Sequence, residues 1–152
     1  MGPLLPALRQ EAGVDILLER EKPASQTNPT PRVTLIGYGP MASLALETAQ
    51  DLAGRGIGVR VIDPVWVQPI TDELVALVGD EDVVVTIEDG IDAGGLGQKM
   101  EIALADQGSG AHVVRCAIPT AFIAHGSRSE ILAGLGFTAA QIVEKVMNQL
   151  AR

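Results

Sequence analysis

The amino-acid sequence predicts an α/β domain built around a mostly parallel β-sheet. Short apolar runs of strand length alternate with segments whose apolar residues recur at helical spacing, and this alternation is typical of sheets covered by helices. The composition agrees, because 47% of the 152 residues are hydrophobic but only 3% are aromatic. A core rich in Val, Ile and Leu is typical of parallel sheets. The length corresponds to one domain.

Five apolar runs predict the strands of this sheet. Short runs of this kind, bounded by turn residues, fit buried strands. In chain order the predicted strands are 14–20, 33–38, 59–63, 83–88 and 112–118. Residues 1–13 are expected to form a loose lead-in. The segment EKPASQTNPTPR at 21–32 contains three prolines and predicts a loop or linker.

Helical spacing and capping residues predict the helices between these strands. Thr71 is expected to cap one helix, since a hydroxyl oxygen can accept from an unpaired N–H of the first turn. Ser127 lies three residues before Glu130, which is capping-box spacing, and Thr138 precedes Gln141 in the same way. The predicted helices are 41–54, 71–79, 95–107, 127–132 and 138–150.

Charge and cysteine content argue against several classes of protein. The net charge is −8 with 11 scattered basic residues, whereas nucleic acids and anionic membranes need a basic surface. We therefore expect no nucleic-acid or membrane partner. The single cysteine, Cys116, forms no intrachain disulfide, which fits a cytoplasmic protein. The first residues lack the basic region of a signal peptide.

The first strand–helix junction contains Gly-x-Gly-x-x-Ala and has two interpretations. In a dinucleotide site, Gly37 would permit the turn, Gly39 would let the backbone approach a pyrophosphate, and Ala42 would allow close helix packing. Asp63, at the end of the next strand, would then bind a ribose hydroxyl. Alternatively, the glycines only shape a crossover connection. In that case Asp63, which precedes Pro64, is a turn residue.

A second glycine cluster, IEDGIDAGGLGQKM, follows the predicted strand 83–88. Acidic residues precede the glycines, and their negative charge would repel a phosphate at the helix start. The cluster fits a flexible loop or a protein-contact surface. An acid–base pair is the weakest alternative, since adjacent residues of a strand point to opposite faces. The residues concerned are Glu88, Asp89, Gly94, Gly95 and Gly97.

The remaining reactive side chains form no recognisable catalytic or metal-binding pattern. His125 lies close to Ser127 and Arg128, which fits a loop histidine beside a capped helix better than a general base. Two distant histidines and one cysteine do not make a metal site. Trp66 lies in a proline-flanked bend and could anchor a contact, but packing is the default interpretation. We therefore predict no catalytic residue, no metal ligand and no cofactor-binding residue in this chain.

Three segments taken together resemble a known family. They are VTLIGYGPMASLALETAQDLAGRGIGVRVIDPVWVQPI at 33–70, VVVTIEDGIDAGGLGQKM at 83–100 and IPTAFIAHGSRSEILAGLGFTAAQIV at 118–143. In order and spacing they are similar to the C-terminal domain of the transketolase-like, thiamine-diphosphate-dependent enzymes. Within that group the HGSR tail resembles the 1-deoxy-D-xylulose-5-phosphate synthases. The resemblance covers about residues 14 to 150, nearly the whole chain.

The resemblance implies a more specific fold than the sequence pattern alone. The family's domain has three αβα layers and a five-stranded, mostly parallel sheet with one antiparallel edge strand, which would be 14–20. Residues 1–32 would be an interdomain lead-in with this edge strand and a linker. Residues 33–152 would form the C-terminal α/β domain. The family binds no nucleotide at its Gly-x-Gly turn, which favours the crossover interpretation.

The resemblance also implies a function that this chain does not perform alone. The parent enzymes condense pyruvate with glyceraldehyde 3-phosphate, release carbon dioxide and feed isoprenoid and thiamine biosynthesis. They are dimers that hold thiamine diphosphate and Mg²⁺ in their other domains. The family's diphosphate motif, from Gly-Asp-Gly to paired Asn, has no counterpart here; the nearest segment is GDE at 79–81. The chain alone is therefore expected to be inactive.

Within such an enzyme this chain would pack against the catalytic domains and support dimerisation. The contact candidates are Glu88, Asp89, Gly94, Gly95, Gly97, His125 and Arg128. Two alternatives stay open from the sequence. One is a free-standing NAD(P)-binding domain that uses Gly37, Gly39, Ala42 and Asp63. The other is the C-terminal domain of another thiamine enzyme, such as a 2-oxo acid dehydrogenase β subunit.

Overall fold

The structure, a computed structural model, describes residues 5–21 and 32–152. Six strands and five helices lie in these two ranges. The strands are β1 (Arg9–Glu11), β2 (Val14–Arg20), β3 (Arg32–Gly37), β4 (Gly58–Asp63), β5 (Val83–Ile91) and β6 (His112–Ile118). The helices are α1 (Pro40–Gly54), α2 (Asp72–Val78), α3 (Leu96–Asp106), α4 (Arg128–Gly134) and α5 (Ala139–Leu150). The predicted linker 21–32 lies almost entirely outside the described residues.

The strands form a single mixed sheet in the order β1-β2-β4-β3-β5-β6. β4, β3, β5 and β6 run parallel, and β2 pairs antiparallel with β4. The prediction of an α/β fold with a mostly parallel sheet is therefore confirmed. Strand β5 continues three residues beyond its predicted end at residue 88, and its pairing with β6 shifts register between Ile87 and Ile91.

The sheet has six strands, one more than predicted, and the additional strand lies within the predicted lead-in. β1 pairs antiparallel with β2, so β2 is an interior strand and β1 is the edge. The two strands are joined by Ala12 and Gly13, both with positive φ, in a two-residue turn. The sequence signal was weak because β1 is short and polar, and because Ala-Gly is not among the common hairpin pairs.

Helices cover both faces of the sheet and create the predicted three layers. On one face α1 and α5 pack against side chains such as Leu35, Val61 and Val85. On the other face α2 and α3 pack against Ile36, Ile62 and Val84. The predicted caps are present, since Thr71, Ser127 and Thr138 each accept from a backbone N–H of the first turn. None of the described helices has the length and apolar character needed to cross a membrane.

The topology brings the ends of four strands to one edge of the sheet. Because β4, β3, β5 and β6 are parallel, their last residues lie side by side. These residues are Asp63, Gly37, Ile91 and Ile118. We call this side the carboxyl edge. In open α/β sheets ligands bind at this edge, outside the strand ends.

Candidate functional site

The turn after β3 is shaped by close packing. A Cβ atom on Gly37 would lie 2.8 Å from the carbonyl oxygen of Met41 and 3.2 Å from Ala45 Cβ. Gly39 precedes α1 with φ 56° and ψ −133°, a conformation that non-glycine residues rarely adopt. Ala42 is buried against the sheet. Each of these small residues therefore has a structural reason for its size.

Asp63 closes a turn at the end of β4. Its Oδ1 accepts a hydrogen bond of 3.0 Å from the backbone N–H of Val65. This is the turn role predicted from the Asp-Pro sequence. A carboxylate engaged by its own backbone has less capacity to receive a ribose hydroxyl.

Glu88 occupies the N-terminus of α3. Its side chain is buried, with 2% of the residue exposed. Oε1 accepts from the N–H of Leu96 at 2.6 Å, and Oε2 accepts from the N–H of Gly97 at 2.8 Å. A helix N-terminus favours an anion, because its N–H groups are unpaired and the helix dipole is positive there. In this chain the anion is the protein's own carboxylate.

The glycines beside Glu88 make this arrangement sterically possible. A Cβ on Gly95 would lie 2.9 Å from both carboxylate oxygens of Glu88. A Cβ on Gly97 would lie 2.4 Å from Thr86 Oγ1. Gly94 has φ +76° and donates its N–H to Gln98 Oε1 at 2.7 Å. The cluster therefore has an intrachain function, and its predicted role in a contact surface stays a prediction.

Asp89 points to the opposite face from Glu88 and joins two segments that are distant in sequence. Its Oδ2 accepts a short hydrogen bond from the guanidinium of Arg128, the first residue of α4. Both side chains are partly exposed. The structure thus brings two of the predicted contact residues together, and it ties the start of α4 to the end of β5.

Negative charge dominates the middle of the carboxyl edge. Burial raises the pKa of Tyr38, and the nearby carboxylates of Glu88 and Asp89 raise it further. Tyr38 follows β3 directly and lies beside the end of the neighbouring strand β5, which carries both acidic residues. A diphosphate placed here would meet these carboxylates. The residues present therefore do not fit thiamine diphosphate.

The segment that follows β6 contains no buried residue. From Pro119 to Gly136, a range that the structure describes in full, every residue is exposed or half-buried. Phe122 is 98% exposed. The segment surrounds a groove of about 630 Å³, lined mainly by apolar residues that include Phe122, Ile131 and Leu135. Large exposed aromatic side chains beside an apolar groove are typical of protein-contact surfaces.

Three further exposed apolar side chains lie at the carboxyl edge. Ile91 at the end of β5 is 57% exposed, and the bend after β4 presents Val65 and Trp66 at 51% and 72%. Packing was the expected role of Trp66, and the structure shows a largely exposed side chain instead. The sequence did not decide between packing and a contact role, because an aromatic residue among prolines gives no indication of burial.

The remaining candidate residues lie apart from one another. His125 is exposed in the loop before α4. Cys116 is buried in β6, and burial raises the pKa of its thiol. Among the described residues no group of three or more His, Cys, Asp or Glu side chains is arranged to hold a metal ion.

The fold and this edge define a class of protein. The profile of the transketolase C-terminal domain matches residues 23–142. The chain belongs to this family. The crossover at Gly37 and the three-layer arrangement of helices and sheet are thus features of a transketolase-type C-terminal domain.

Within the family, several curated relatives are 1-deoxy-D-xylulose-5-phosphate synthases. The enzyme of Streptomyces sp. (strain CL190) is 37% identical over 146 residues, which are 96% of this chain and 22% of the relative. The 1-deoxy-D-xylulose-5-phosphate synthase 1 of Kitasatospora griseola is 40% identical over 138 residues, which are 91% of this chain and 20% of the relative. The chain spans about a fifth of the length of these relatives.

Solved structures give the same architecture. A split-gene transketolase, described as an inactive β4 tetramer, superposes with a TM-score of 0.76 at 27% identity; the match covers 98% of this chain and 46% of that chain. Transketolase from Campylobacter jejuni subsp. jejuni NCTC 11168 gives a TM-score of 0.62 at 14% identity, covering 94% of this chain and 20% of that chain. The second likeness concerns the fold alone.

Proposed function

We propose that this chain is the non-catalytic C-terminal domain of a 1-deoxy-D-xylulose-5-phosphate synthase, as part of a longer chain or as one subunit of a split enzyme. The complete enzyme is a cytoplasmic homodimer that condenses pyruvate with glyceraldehyde 3-phosphate and releases carbon dioxide. Its product feeds isoprenoid and thiamine biosynthesis. The role of this chain is to pack against the catalytic domains and support the dimer.

One observation carries the proposal of a contact role. The eighteen residues from Pro119 to Gly136 follow a strand of the core sheet, and none of them is buried in this chain. Exposing Phe122 to water is unfavourable, since burying an aromatic side chain contributes about 1.5–3 kcal/mol. A partner that covers this segment recovers that free energy. The Asp89–Arg128 ion pair holds the segment in place for such a partner.

The relatives support both the identity of the partner and the lack of activity alone. The matched region is about a fifth of each curated relative, which leaves four-fifths of those enzymes to supply the proposed catalytic part. The split-gene transketolase is described as inactive. By analogy, thiamine diphosphate and Mg²⁺ are held by the catalytic domains. At the carboxyl edge of this chain, the N–H groups at the start of α3 that could bind a diphosphate are already occupied by Glu88.

A chimeric enzyme tests this function. The region of the Streptomyces sp. (strain CL190) synthase that matches this chain is replaced by residues 1–152, and formation of the deoxyxylulose phosphate is measured. We expect an active dimer. Replacing Phe122 with Ala in the chimera is expected to lower activity or weaken the dimer. Ile102→Ala is the matched control, because Ile102 is also exposed but lies on α3.

Titrations of the 152-residue chain complete the test. Calorimetry with thiamine diphosphate and Mg²⁺ is expected to show no binding. A fluorescence titration with NADH is expected to show no binding of the nucleotide at millimolar NADH. A folded, dimeric chimera without activity contradicts the proposed function. Micromolar binding of NADH abolished by Asp63→Asn would favour the dinucleotide-binding alternative.

A further inference from the structure

The bend after β4 contains an apolar surface that the proposed function does not yet explain. Trp66 is the only tryptophan of the chain and is 72% exposed, and the adjacent Val65 is 51% exposed. Tryptophan is strongly enriched among the interface residues that contribute most to binding. Folding of this chain alone leaves most of that side chain in water.

The bend is held in one conformation by contacts on both sides of Trp66. Asp63 accepts from the N–H of Val65, and the N–H of Trp66 donates to the carbonyl of Pro64. Beyond the tryptophan, Val67 and Ile70 pack against the core beneath α2. The side chain is thus presented on an anchored turn. Ordering the turn in advance lowers the entropy cost of binding.

Val65 shows that this conformation is not the most favourable one for the isolated backbone. Its φ is +57°, a left-handed conformation that a β-branched residue adopts only when its surroundings impose it. Backbone strain of this kind is concentrated at functional positions. An exposed tryptophan and a strained neighbour on an anchored turn together indicate a surface that is completed by a partner.

We propose that Trp66 is an anchor residue that inserts into an apolar hollow on the catalytic part of the synthase, next to the surface that Phe122 contacts. This inference rests on the proposed function. β4 and β6 are three strand spacings apart, so the ends that lead to Trp66 and Phe122 are separated by about 14 Å. One partner surface of ordinary size, about 800 Å², spans both positions.

The other occupants fit the surface less well. An anionic lipid surface is disfavoured by the net charge of −8. A second copy of this chain would have to place its own apolar groove opposite Trp66, and that groove is the surface already assigned to the catalytic part. The catalytic part fits better, because Trp66 lies at the same edge of the sheet as Phe122 and Ile91, which the catalytic part is already proposed to contact. The experiment below separates these occupants.

The first test follows the exposure of Trp66 directly. The 152-residue chain and the chimera are labelled with 5-fluorotryptophan, and the resonance of Trp66 is identified by its loss in the Trp66→Phe variant. Transfer from H₂O to D₂O shifts the ¹⁹F resonance of a solvent-exposed ring. We expect a large isotope shift in the chain alone and a clearly smaller one in the chimera.

The second test compares one substitution in two contexts. Trp66→Ala is expected to leave the unfolding temperature of the chain alone nearly unchanged, since the side chain is already exposed. In the chimera the same substitution is expected to lower the temperature of inactivation. Ile102→Ala is expected to change the unfolding temperature of the chain alone and the inactivation temperature of the chimera by the same small amount. The comparison removes any contribution from misfolding of the domain itself.

The outcomes distinguish this inference from the proposed function. An active chimera in which the isotope shift of Trp66 equals that of the chain alone overturns the anchor role and leaves the proposed function intact. An isotope shift that decreases as the concentration of the chain alone rises assigns the surface to a second copy and also overturns the inference. An inactive, folded chimera overturns both.

Discussion

At the residue scale, Gly97 shows how a missing side chain positions a helix. Gly97 is buried at the start of α3, where its N–H binds Glu88. An added Cβ would lie 2.4 Å from Thr86 Oγ1 and 2.9 Å from Arg115 Cγ. Thr86 belongs to the interior strand β5 and is fully buried, so the atom that the Cβ would meet cannot move away easily. The close approach of α3 to the sheet depends on this glycine.

Replacing Gly97 with Ala is therefore expected to destabilise the chain. Overpacking of this kind typically costs about 1–3 kcal/mol. The free energy of unfolding in guanidinium chloride measures the effect. Gly90→Ala is the control, since a Cβ at Gly90 meets nothing within 4 Å, and its effect is expected to stay within about 0.5 kcal/mol. Equal stability of the two variants would contradict the packing argument.

Sequence could predict local features of these residues but not their distant partners. The caps at Ser127 and Thr138 were predictable because each cap and its helix are adjacent in the chain. The binding of Glu88 to the N-terminus of α3 spans only eight residues, but it depends on which way the end of β5 turns. The Asp89–Arg128 pair joins positions 39 residues apart, and only the fold brings them together.

At the scale of elements, a chain of ion pairs ties the antiparallel hairpin to the parallel strands. Arg9 of β1 binds Glu19 of β2 at 2.6 Å, and Arg60 of β4 binds the same carboxylate at 3.0 Å. Arg60 also lies 3.5 Å from the carboxylate of Glu81, which is in the turn before β5. The same carboxylate binds Arg32 of β3 at 3.0 Å. Four strands and the turn before β5 are thus linked by alternating charges at the edge of the sheet opposite Trp66.

The two glutamates of this network are expected to affect stability with opposite dependence on pH. Burial raises the pKa of Glu81, although Arg32 and Arg60 oppose the change. The folded state then holds its proton more tightly than the unfolded state. The contribution of Glu81 is complete below its ordinary pKa of 4.5 and is lost as the pH rises through the raised value.

Glu19 has the reverse behaviour. A hydrogen bond from Arg9 is the main cause that lowers the pKa of Glu19, so its contribution is present above the ordinary value of 4.5 and is lost as the pH falls. Both contributions are measured as the free energy of unfolding in urea between pH 3 and 7, for the wild type and for the Glu81→Gln and Glu19→Gln variants. A wild-type advantage over Glu81→Gln that grows with pH would contradict the assignment for Glu81.

At the scale of the whole molecule, the core is mainly aliphatic, and two of the four aromatic side chains lie outside it. Two clusters dominated by Val, Ile, Leu and Ala fill the space on either side of the sheet, and one of them includes Phe137. Trp66 and Phe122 lie at the carboxyl edge, largely exposed to solvent. The low aromatic content predicted an aliphatic core from sequence. The location of the few aromatic residues was not predictable, since composition does not distinguish a core position from a contact position.

This arrangement predicts an unusual unfolding signal. Because Trp66 is already 72% exposed, its emission maximum is expected to change little when guanidinium chloride unfolds the chain. Far-ultraviolet circular dichroism is expected to lose the signal of the five helices over the same range of denaturant. Measuring both signals in one titration checks the prediction. A large red shift on unfolding would show that Trp66 is buried in the native chain.

The short strand β1 has a consequence for how this domain can be moved between proteins. It ends the sheet with three exposed residues, one of them an arginine paired with two glutamates. A short, charged terminal strand is a poor template for further strand addition. Such a boundary disfavours edge-to-edge association when the domain is produced by itself. It also suits the chimeric replacement described above, in which this sheet must not pair with strands of the host enzyme.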